Sequence, residues 1–446
     1  MTKLFRSLKK NKANIALVKD NDKYDYGYLL NFSLNIKKKI PKGSLILLIA
    51  NNDVETISMY VSSIINGNYL IILDHRAQKS FITNTIKKFK PNFIFANTTL
   101  EGFDYKGVFS FMNYNLLITK NTHHKSINKK NSILLTTSGT TSNPKFVRLS
   151  NLNIFTNAYQ ILDYLKISSK SITITTLPFA YSYGLSIINT HLEKGAKIIL
   201  NNDSVISPKF WEKIKIWKVN SFSGVPEIFE YLKKIKFDKY LTSSIRYMTV
   251  AGGKLNIETM KFILKICKNK SINFISMYGQ TEASPRISYL DVFNNLKKIE
   301  SIGRPVKNSK IKIYKGELVF IGKNASLGYA NNLKDLLKGD ENKGKIFTGD
   351  LGYKDKDGYF YITGRKKRIS KIFGLRVDLD DIEKYLSKKG FKVKITSDDK
   401  LIQISNFKSN QEDKIKDIIN DEFKINKNFL ILENSNKNNN SQFKKI

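Results

Sequence analysis

The chain alternates apolar runs with amphipathic stretches at a regular spacing. Between residues 43 and 74 an apolar run, a polar turn, a helix-like segment and a second apolar run follow one another at 44–50, 51–53, 54–65 and 69–73. Continuous apolar runs of this length are typical of strands buried on both faces, and strands that alternate with helices favour a parallel sheet. The rhythm recurs at 192–202, 217–226 and 243–250. This pattern predicts an α/β fold.

The pattern changes towards the C-terminus. Apolar runs at 316–320 and 359–363 predict antiparallel strands around a turn at Asp357 and Gly358. Past residue 363 a short β/α module begins, with helices predicted at 380–388 and 411–423. A length of 446 residues is enough for two or three domains. We predict a large domain over residues 1–363 and a small domain over residues 364–446.

A loop rich in hydroxyl groups follows one apolar run directly. It spans residues 134–145 and carries Thr137, Ser138, Gly139, Thr140, Thr141 and Lys145. Hydroxyls and backbone N–H groups can surround phosphoryl oxygens, a glycine lets the backbone approach closely, and a lysine adds positive charge. The spacing is not that of a P-loop, which disfavours a Walker-type kinase or NTPase. The segment predicts a phosphate-binding loop of another kind.

Four further segments carry polar groups at strand ends or turns. In chain order they cover residues 250–253, 276–282, 347–352 and 363–377. Each has an ordinary interpretation when it stands alone. Paired glycines are usually a turn, Tyr-Gly with Thr-Glu is a turn followed by a helix cap, and the basic run 365–371 is a solvated or nucleic-acid-binding surface.

Taken in order, the five segments resemble the signatures of the adenylate-forming superfamily, which includes acyl-CoA synthetases, nonribosomal-peptide adenylation domains and luciferases. The loop is similar to T-S-G-x-T-G-x-P-K-G, with Ser142 and Phe146 in place of two glycines. The later segments are similar to Y-G-x-T-E, T-G-D-x-G and G-R-x-x-x-x-I-K-x-x-G-x-R-V. The resemblance implies a large N-terminal domain of layered α/β subdomains with a distorted β-barrel, and a small mobile C-terminal α+β domain.

The resemblance also implies roles for single residues. Tyr278 would pack on adenine, Thr281 would contact the α-phosphate, and Glu282 would hold Mg²⁺ through a hard carboxylate oxygen. Asp350 would accept hydrogen bonds from the ribose, and Arg365 would contact the nucleotide with its planar fork. The other assigned residues are, for ATP, residues 137–141, Gly252, Gly279 and Gln280; for catalysis, Lys145 and Lys371; and for the domain hinge, Lys367.

The acid substrate is expected to contact the segment from Leu177 to Leu185. This segment is similar to the L-P-x-x-H-x-x-G pattern of acyl- and aryl-CoA ligases, and we predict a pocket strand here. Ala180 stands where amino-acid-activating relatives place an aspartate, which disfavours an α-amino acid because a buried ammonium without a carboxylate is costly. The predicted pocket residues are Tyr181, in the histidine position, with Ser182, Gly184 and Gly253.

The resemblance is weakest at the C-terminus. Relatives carry a lysine in the pattern P-x-x-x-x-G-K that contacts the substrate during adenylation, and Asn439 and Asn440 stand where Gly-Lys belongs. A neutral amide cannot replace an ammonium at a developing negative charge, although Lys437 or Lys444 could substitute after a register shift. A family member that binds nucleotide or performs only the thioester step therefore stays an alternative.

The formal net charge of +38 would ordinarily indicate nucleic acid or an anionic membrane. The lysine excess is spread along the chain and no nucleic-acid-binding motif accompanies it, so a basic nucleic-acid-binding protein is the second alternative. The single cysteine, Cys267, excludes a disulfide framework, and the four histidines are too scattered for a zinc site. No apolar stretch is long enough to span a bilayer, and a cytoplasmic location is expected.

The predicted function is ATP-dependent activation of a carboxylic acid as an acyl-adenylate. Transfer to a thiol would follow, with release of AMP and pyrophosphate. The expected cofactors are ATP and Mg²⁺, and the expected partners are a carboxylic acid and either CoA or the phosphopantetheine of an acyl or peptidyl carrier protein. No specific nucleic-acid partner is expected.

Overall fold

The computed structural model describes residues 7–97, 105–121, 127–137, 145–366, 368–372, 375–398, 400–407 and 409–432. The described residues divide into two units, one that ends at Thr363 and one that begins at Gly364. The α-helices are Ser7–Lys10, Tyr26–Lys39, Val54–Asn66, Lys79–Phe89, Asn151–Leu165, Ser182–Glu193, Pro208–Ile216, Pro226–Lys234, Ile257–Lys270, Leu379–Lys388 and Glu412–Phe423. Single 3₁₀ turns lie at Phe237–Lys239, Thr281–Ala283, Phe293–Lys298, Leu333–Leu337, Ser409–Gln411 and Lys427–Phe429.

Two large sheets organise the first unit. Across the nine-stranded sheet the order is Arg304–Pro305, Arg286–Asp291, Asn273–Gly279, Tyr247–Val250, Ser221–Gly224, Ile172–Ile174, Lys197–Leu200, Ile15–Lys19 and Asp22–Asp25. Across the eight-stranded sheet it is Gly328–Ala330, Phe146–Leu149, Ile133–Thr136, Tyr69–Asp74, Leu45–Ala50, Phe93–Ala96, Tyr114–Thr119 and Tyr105–Phe111. The central strands of both sheets are parallel and carry helices between them, which confirms the predicted α/β class.

The first β-α-β unit shows why the apolar runs fold this way. The strand Leu45–Ala50 is buried at every position, as expected of a parallel strand covered on both faces. Asp53 caps the following helix by accepting a hydrogen bond from the backbone N–H of Thr56 at 2.8 Å. Gly67, with a φ of 75°, ends that helix in the left-handed conformation. The chain then returns as Tyr69–Asp74, parallel to the first strand.

A four-stranded sheet completes the first unit. Its strands, in order, are Lys310–Tyr314, Glu317–Ile321, Lys345–Lys354 and Phe360–Arg365. The turn at Asp357 and Gly358 therefore joins the third and fourth strands, and the prediction that it lies between the strands at 316–320 and 359–363 was wrong. Residues 347–352 were interpreted only as a motif, so the strand that pairs with Glu317–Ile321 was not predicted. The distorted barrel stays a prediction.

The second unit has its own apolar core. Helices Leu379–Lys388 and Glu412–Phe423 begin and end within one residue of the predicted bounds. They contribute buried side chains to a core shared with a three-stranded sheet of Lys394–Ser397, Ile402–Ser405 and Leu430–Leu432. A separate two-stranded ladder joins Ile369–Ile372 to Leu375–Asp378. Within the residues described for either unit, no helix has the length and apolar character needed to cross a membrane.

Candidate active site

The predicted phosphate-binding loop begins and ends on a β-hairpin. Strands Ile133–Thr136 and Phe146–Leu149 pair antiparallel, and the backbone N–H of Thr137 donates to the carbonyl of Lys145 at 3.2 Å. Thr137 and Lys145 therefore face each other where the loop leaves the sheet. The predicted ATP-binding residues between them, Ser138, Gly139, Thr140 and Thr141, lie outside the described residues.

Lys145 is connected to Glu282 through Tyr329. The ammonium of Lys145 lies 5.7 Å from the centre of the Tyr329 ring, within the range of a cation–π contact. The hydroxyl of Tyr329 donates to Oε1 of Glu282 at 2.8 Å. Two residues that are 137 positions apart in the chain are thus held on either side of one aromatic ring, next to the loop base.

Arg148 fixes the strand that carries Tyr329. Strand Gly328–Ala330 pairs antiparallel with Phe146–Leu149, and the guanidinium of Arg148 is fully buried against it. Arg148 donates to the carbonyls of Leu327, Tyr329 and Lys338 at 3.0, 3.1 and 2.7 Å, and to the carboxylate of Glu341. These bonds use the planar fork of an arginine in several directions at once, which a lysine could not do.

Glu282 has the environment expected of a metal ligand. It lies in the 3₁₀ turn Thr281–Ala283, directly after the strand Asn273–Gly279, and its side chain is 7% exposed. While Oε1 accepts from Tyr329, Oε2 is buried without a hydrogen-bond partner among the described residues. A hard carboxylate oxygen left open in this way fits Mg²⁺, which is usually held by one or two carboxylates together with substrate phosphates. Within the described ranges, no group of three or more acidic, histidine or cysteine side chains could hold a metal by itself.

Thr281 meets the predicted substrate segment at Ser182. The two hydroxyl oxygens are 3.2 Å apart and both residues are buried. Contrary to the prediction, this segment is not a strand. The helix Ser182–Glu193 begins there with Tyr181 as its N-cap. A Cβ on Gly184 would lie 2.2 Å from the carbonyl oxygen of Pro178, so only glycine allows the first helical turn to pack against the preceding chain.

Tyr278 and Asp350, predicted to contact adenine and ribose, are in direct contact. The Tyr278 hydroxyl donates to Oδ2 of Asp350, whose side chain is 2% exposed. Asp350 lies in the strand Lys345–Lys354, and its backbone N–H donates to the hydroxyl of Thr348 at 3.1 Å. Gly279 follows Tyr278 at a point where a Cβ would lie 2.1 Å from a backbone oxygen, that of Pro285.

The two glycines at 252 and 253 border the predicted substrate pocket. Gly252 has a φ of 99°, and a Cβ there would come within 3.1 Å of the Tyr181 hydroxyl. A Cβ on Gly253 would come within 3.1 Å of the Pro226 ring. Burial raises the pKa of Tyr181, with the positive charge of Arg286 acting in the opposite direction. The Tyr181 phenol is thus a neutral hydrogen-bonding group at this wall of the pocket.

The other predicted site residues are placed as follows. The backbone N–H of Gln280 donates to the carbonyl of Pro285 at 2.9 Å. Arg365 is the last residue of the strand Phe360–Arg365 and belongs to the second unit. Lys367, the predicted hinge, and the side chain of Lys371 lie outside the described residues, as do Asn439 and Asn440. Their roles stay predictions.

Some residues at this site were missed in the sequence analysis. Tyr329 follows a glycine in a short strand, and no motif separates it from an ordinary edge-strand tyrosine. Arg148 lies close after the loop in the sequence but was assigned no role. The sequence did contain a signal for a third group of polar residues. Ser221, Ser223, Tyr247 and Thr249 alternate with apolar residues, in strands whose two faces were both expected to be apolar.

Comparisons with known proteins identify the family of this chain. Residues 30–330 match the model of the family described as AMP-binding enzyme. A Bacillus subtilis (strain 168) protein assigned as an acyl-CoA synthetase is 31% identical over 279 residues, which are 58% of this chain and 50% of that protein. A 2-succinylbenzoate–CoA ligase of Listeria innocua is 28% identical over 248 residues, 55% of this chain and 52% of the ligase. The chain thus spans about half the length of these curated relatives.

Solved structures share the fold at low sequence identity. The o-succinylbenzoate CoA synthetase of Bacillus subtilis, as a double mutant with a product analogue, superposes with a TM-score of 0.73 at 17% identity, over 96% of this chain and 94% of that one. The same synthetase has been solved with ATP and a magnesium ion, and with an acyl-adenylate intermediate. A family match over more than half of the chain, which includes the first three of the five segments, confirms the resemblance: the chain belongs to the AMP-binding enzymes.

Proposed function

We propose that the chain activates a carboxylic acid with ATP and passes the acyl group to a thiol. The observation that carries this proposal is the Glu282 carboxylate, buried beside the loop base with one oxygen held by Tyr329 and the other without a partner among the described residues. A buried charge in that state is costly unless a cation joins it. Magnesium carried by ATP phosphates would meet that need next to Thr281 and Lys145.

The surrounding residues suit a nucleotide in a defined orientation. Tyr278 offers an aromatic face to a base, and the Asp350 carboxylate next to it offers acceptors to a ribose diol. Thr281 presents a hydroxyl between the substrate helix and the magnesium-binding carboxylate, in reach of a phosphate placed there. Lys145 adds positive charge at the base of the loop. Magnesium held by Glu282 would neutralise charge on the phosphates.

The chemistry proceeds in two displacements. A carboxylate oxygen of the acid attacks the α-phosphorus of ATP, an O–P bond forms, and the bond to the bridging oxygen breaks to release pyrophosphate. The sulfur of a thiolate then attacks the acyl carbon, and AMP leaves with the electron pair of the C–O bond. CoA and a carrier-protein phosphopantetheine both supply such a thiol, and the single cysteine of the chain agrees with a reducing cytoplasm as the compartment.

The test is hydroxylamine trapping of the activated acid. Pools of fatty, aryl, hydroxy and amino acids are supplied with ATP and Mg²⁺, and hydroxamate and pyrophosphate are measured. One pool should give both products. Glu282→Gln keeps the side-chain size but removes the charge, and it should lower the rate by about 10²- to 10³-fold while ATP still binds.

Glu55→Gln is the matched control. Glu55 is 1% exposed and one of its oxygens also has no hydrogen-bond partner among the described residues, but it lies on the helix Val54–Asn66 and no role in the reaction is assigned to it. Equal losses in both variants would mean that Glu282 acts through folding alone. Bound ATP without product from any pool would favour the adenylation-impaired alternative.

A further inference from the structure

One face of the nine-stranded sheet is polar where it is covered by helices. The registers Thr173↔Ser221, Ser221↔Tyr247 and Ser223↔Thr249 place these five side chains on the same face of three neighbouring parallel strands. The residues between them, including Phe222 and Met248, belong to the apolar core on the opposite face. A sheet buried on both faces ordinarily carries apolar side chains on both. The polar face therefore requires an explanation.

These side chains line a small cavity. Its volume is about 10 Å³, which is near the minimum for one water molecule or one oxygen atom of a ligand. The helix Ser182–Glu193 closes it with Tyr183, Thr190 and His191, and the adjoining strands add Met277 and Arg286. The helix Asn151–Leu165 adds the apolar side chains of Ile161 and Leu165, so polar and apolar groups share the lining.

Four buried polar atoms at this cavity lack a hydrogen bond of good geometry among the described residues: Nε2 of His191, Oγ of Ser221, the hydroxyl oxygen of Tyr247 and Nε of Arg286. The Ser221 and Tyr247 hydroxyls are close enough to interact, and this contact opposes the rise in the pKa of Tyr247 that burial causes. Nδ1 of His191 is 2.8 Å from the carbonyl of Ile187, which can only accept, so Nδ1 carries the proton and Nε2 is an acceptor. Buried polar atoms rarely stay unpaired, and four around one cavity indicate a polar occupant.

Arg286 determines the charge of that occupant. It is 2% exposed, and no carboxylate in the described part of the chain lies within the 4.0 Å of an ion pair. Its guanidinium lies 4.8 Å from the ring centre of Tyr183, which compensates part of the charge. Glu227 and Arg286 both act electrostatically on the Tyr181 hydroxyl, Glu227 raising its pKa and Arg286 lowering it. Glu227 nevertheless forms no ion pair with Arg286. Burial lowers the pKa of His191 to about 4, so Arg286 is the charged residue of the cavity lining at neutral pH.

The cavity adjoins the proposed reaction site. Tyr183 follows Ser182, whose hydroxyl contacts that of Thr281. Met277 of the lining also precedes Tyr278, but successive side chains of a strand point to opposite faces, so the connection runs through Ser182 and Tyr183 on the helix. An acid whose carboxylate is activated beside Thr281 would therefore extend its other end along the first turn of the substrate helix towards Arg286.

We propose that the acid substrate carries a second carboxylate at its far end and that one oxygen of this group enters the cavity and binds Arg286. The proposal rests on the proposed function. A second carboxylate would give the buried guanidinium its missing counter-ion and would accept hydrogen bonds from Ser221 and Tyr247. An acid that ends in a methyl group would leave these donors without an anionic partner, whereas Nε2 of His191 is an acceptor that neither end group satisfies.

The test compares acids that differ only at the far end. Hexanoic, 6-hydroxyhexanoic and hexanedioic acid form one series, and the 4-methyl, 4-hydroxy and 4-carboxy derivatives of benzoic acid form a second. Binding is measured by calorimetry and activation by hydroxamate formation. In at least one series the diacid should bind about tenfold or more tightly than the methyl-ended acid, since sites built around buried polar groups reject analogues that leave them unpaired. Arg286→Met should abolish or reverse that preference.

Arg304→Met is the matched control, because Arg304 is also stacked on a tyrosine ring, that of Tyr359, but lies outside the cavity. Tyr247→Phe provides a milder change within the cavity and should reduce the preference for the diacid in part. A preference of the wild type for the methyl-ended acids in both series, or a diacid preference that survives Arg286→Met, would overturn the proposal. Diacid binding that depends on Arg286 without hydroxamate would overturn the proposed function and leave the cavity assignment standing.

Discussion

Two arginines of the first unit are buried to nearly the same extent and have opposite surroundings. Arg148 is 0% exposed and Arg286 2% exposed. Arg148 is saturated by three backbone carbonyls and Glu341, whereas Arg286 has tyrosine rings and a polar cavity around it and no carboxylate among the described residues. A buried cation needs a partner. The chain thus supplies the partner where an arginine supports the fold, and under the proposal above it leaves the partner of Arg286 to a ligand.

The largest expected effect separates the two arginines by stability. Arg148→Met removes the donors of three carbonyls and of Glu341, and should lower the free energy of unfolding by about 3 kcal/mol. Urea unfolding followed by tryptophan fluorescence reports on the first unit, because both tryptophans, Trp211 and Trp217, lie there. Glu341→Gln, which keeps the carbonyl contacts, should cost much less because Glu341 is half exposed. Equal costs would mean that the ion pair, not the carbonyl set, holds the strand.

A second expected effect comes from His191, which faces the same cavity as Arg286. Its folded-state pKa of about 4 lies below its ordinary 6.5 because it is buried. The unfolded chain therefore binds the proton more readily, and stability present above pH 6.5 is lost as the pH falls towards 4. Between pH 7 and pH 5 the loss from this group should be about 2 kcal/mol.

Urea unfolding of His191→Gln at the two pH values measures that loss. The variant should lose less stability than the wild type on acidification, while His75→Gln, at a more exposed histidine, should behave like the wild type. An unchanged pH dependence in His191→Gln would show that the imidazole is accessible to protons, and the cavity would then be open to water in the folded state.

The parts of the structure also differ in how far the sequence predicts them. The β-α-β segments and the helices of the second unit follow from apolar periodicity, and the pairing of Tyr278 with Asp350 lies within motifs that the sequence displays. The polar cavity depends on register: Ser221 and Tyr247 lie side by side only because their strands pair in parallel at that offset. The periodicity of one strand does not reveal which strand pairs with it. The sequence therefore does not show that Arg286 lines the same cavity as Ser221 and Tyr247.

The helix at Ser182 illustrates the same limit from local structure. Gly184 was assigned to a pocket strand, but it lies in the first turn of a helix. Its close approach to the Pro178 carbonyl there leaves no room for a side chain. Tyr183 is thereby directed to the cavity while Ser182 contacts Thr281. Contacts that depend on such a turn are set by tertiary packing and are absent from any single motif.

The smallest expected effect completes the contrast between the arginines. Arg286→Met removes a buried charge that has no carboxylate partner among the described residues and replaces it with a flexible apolar side chain of similar length. Desolvation of the guanidinium opposes folding, so its loss should change the free energy of unfolding by less than about 1 kcal/mol, in either direction. The tryptophan-monitored urea titration used for Arg148→Met measures this directly. A loss of unfolding free energy as large as that of Arg148→Met would identify Arg286 as a second structural arginine. It would show that the chain without ligand already satisfies the Arg286 guanidinium.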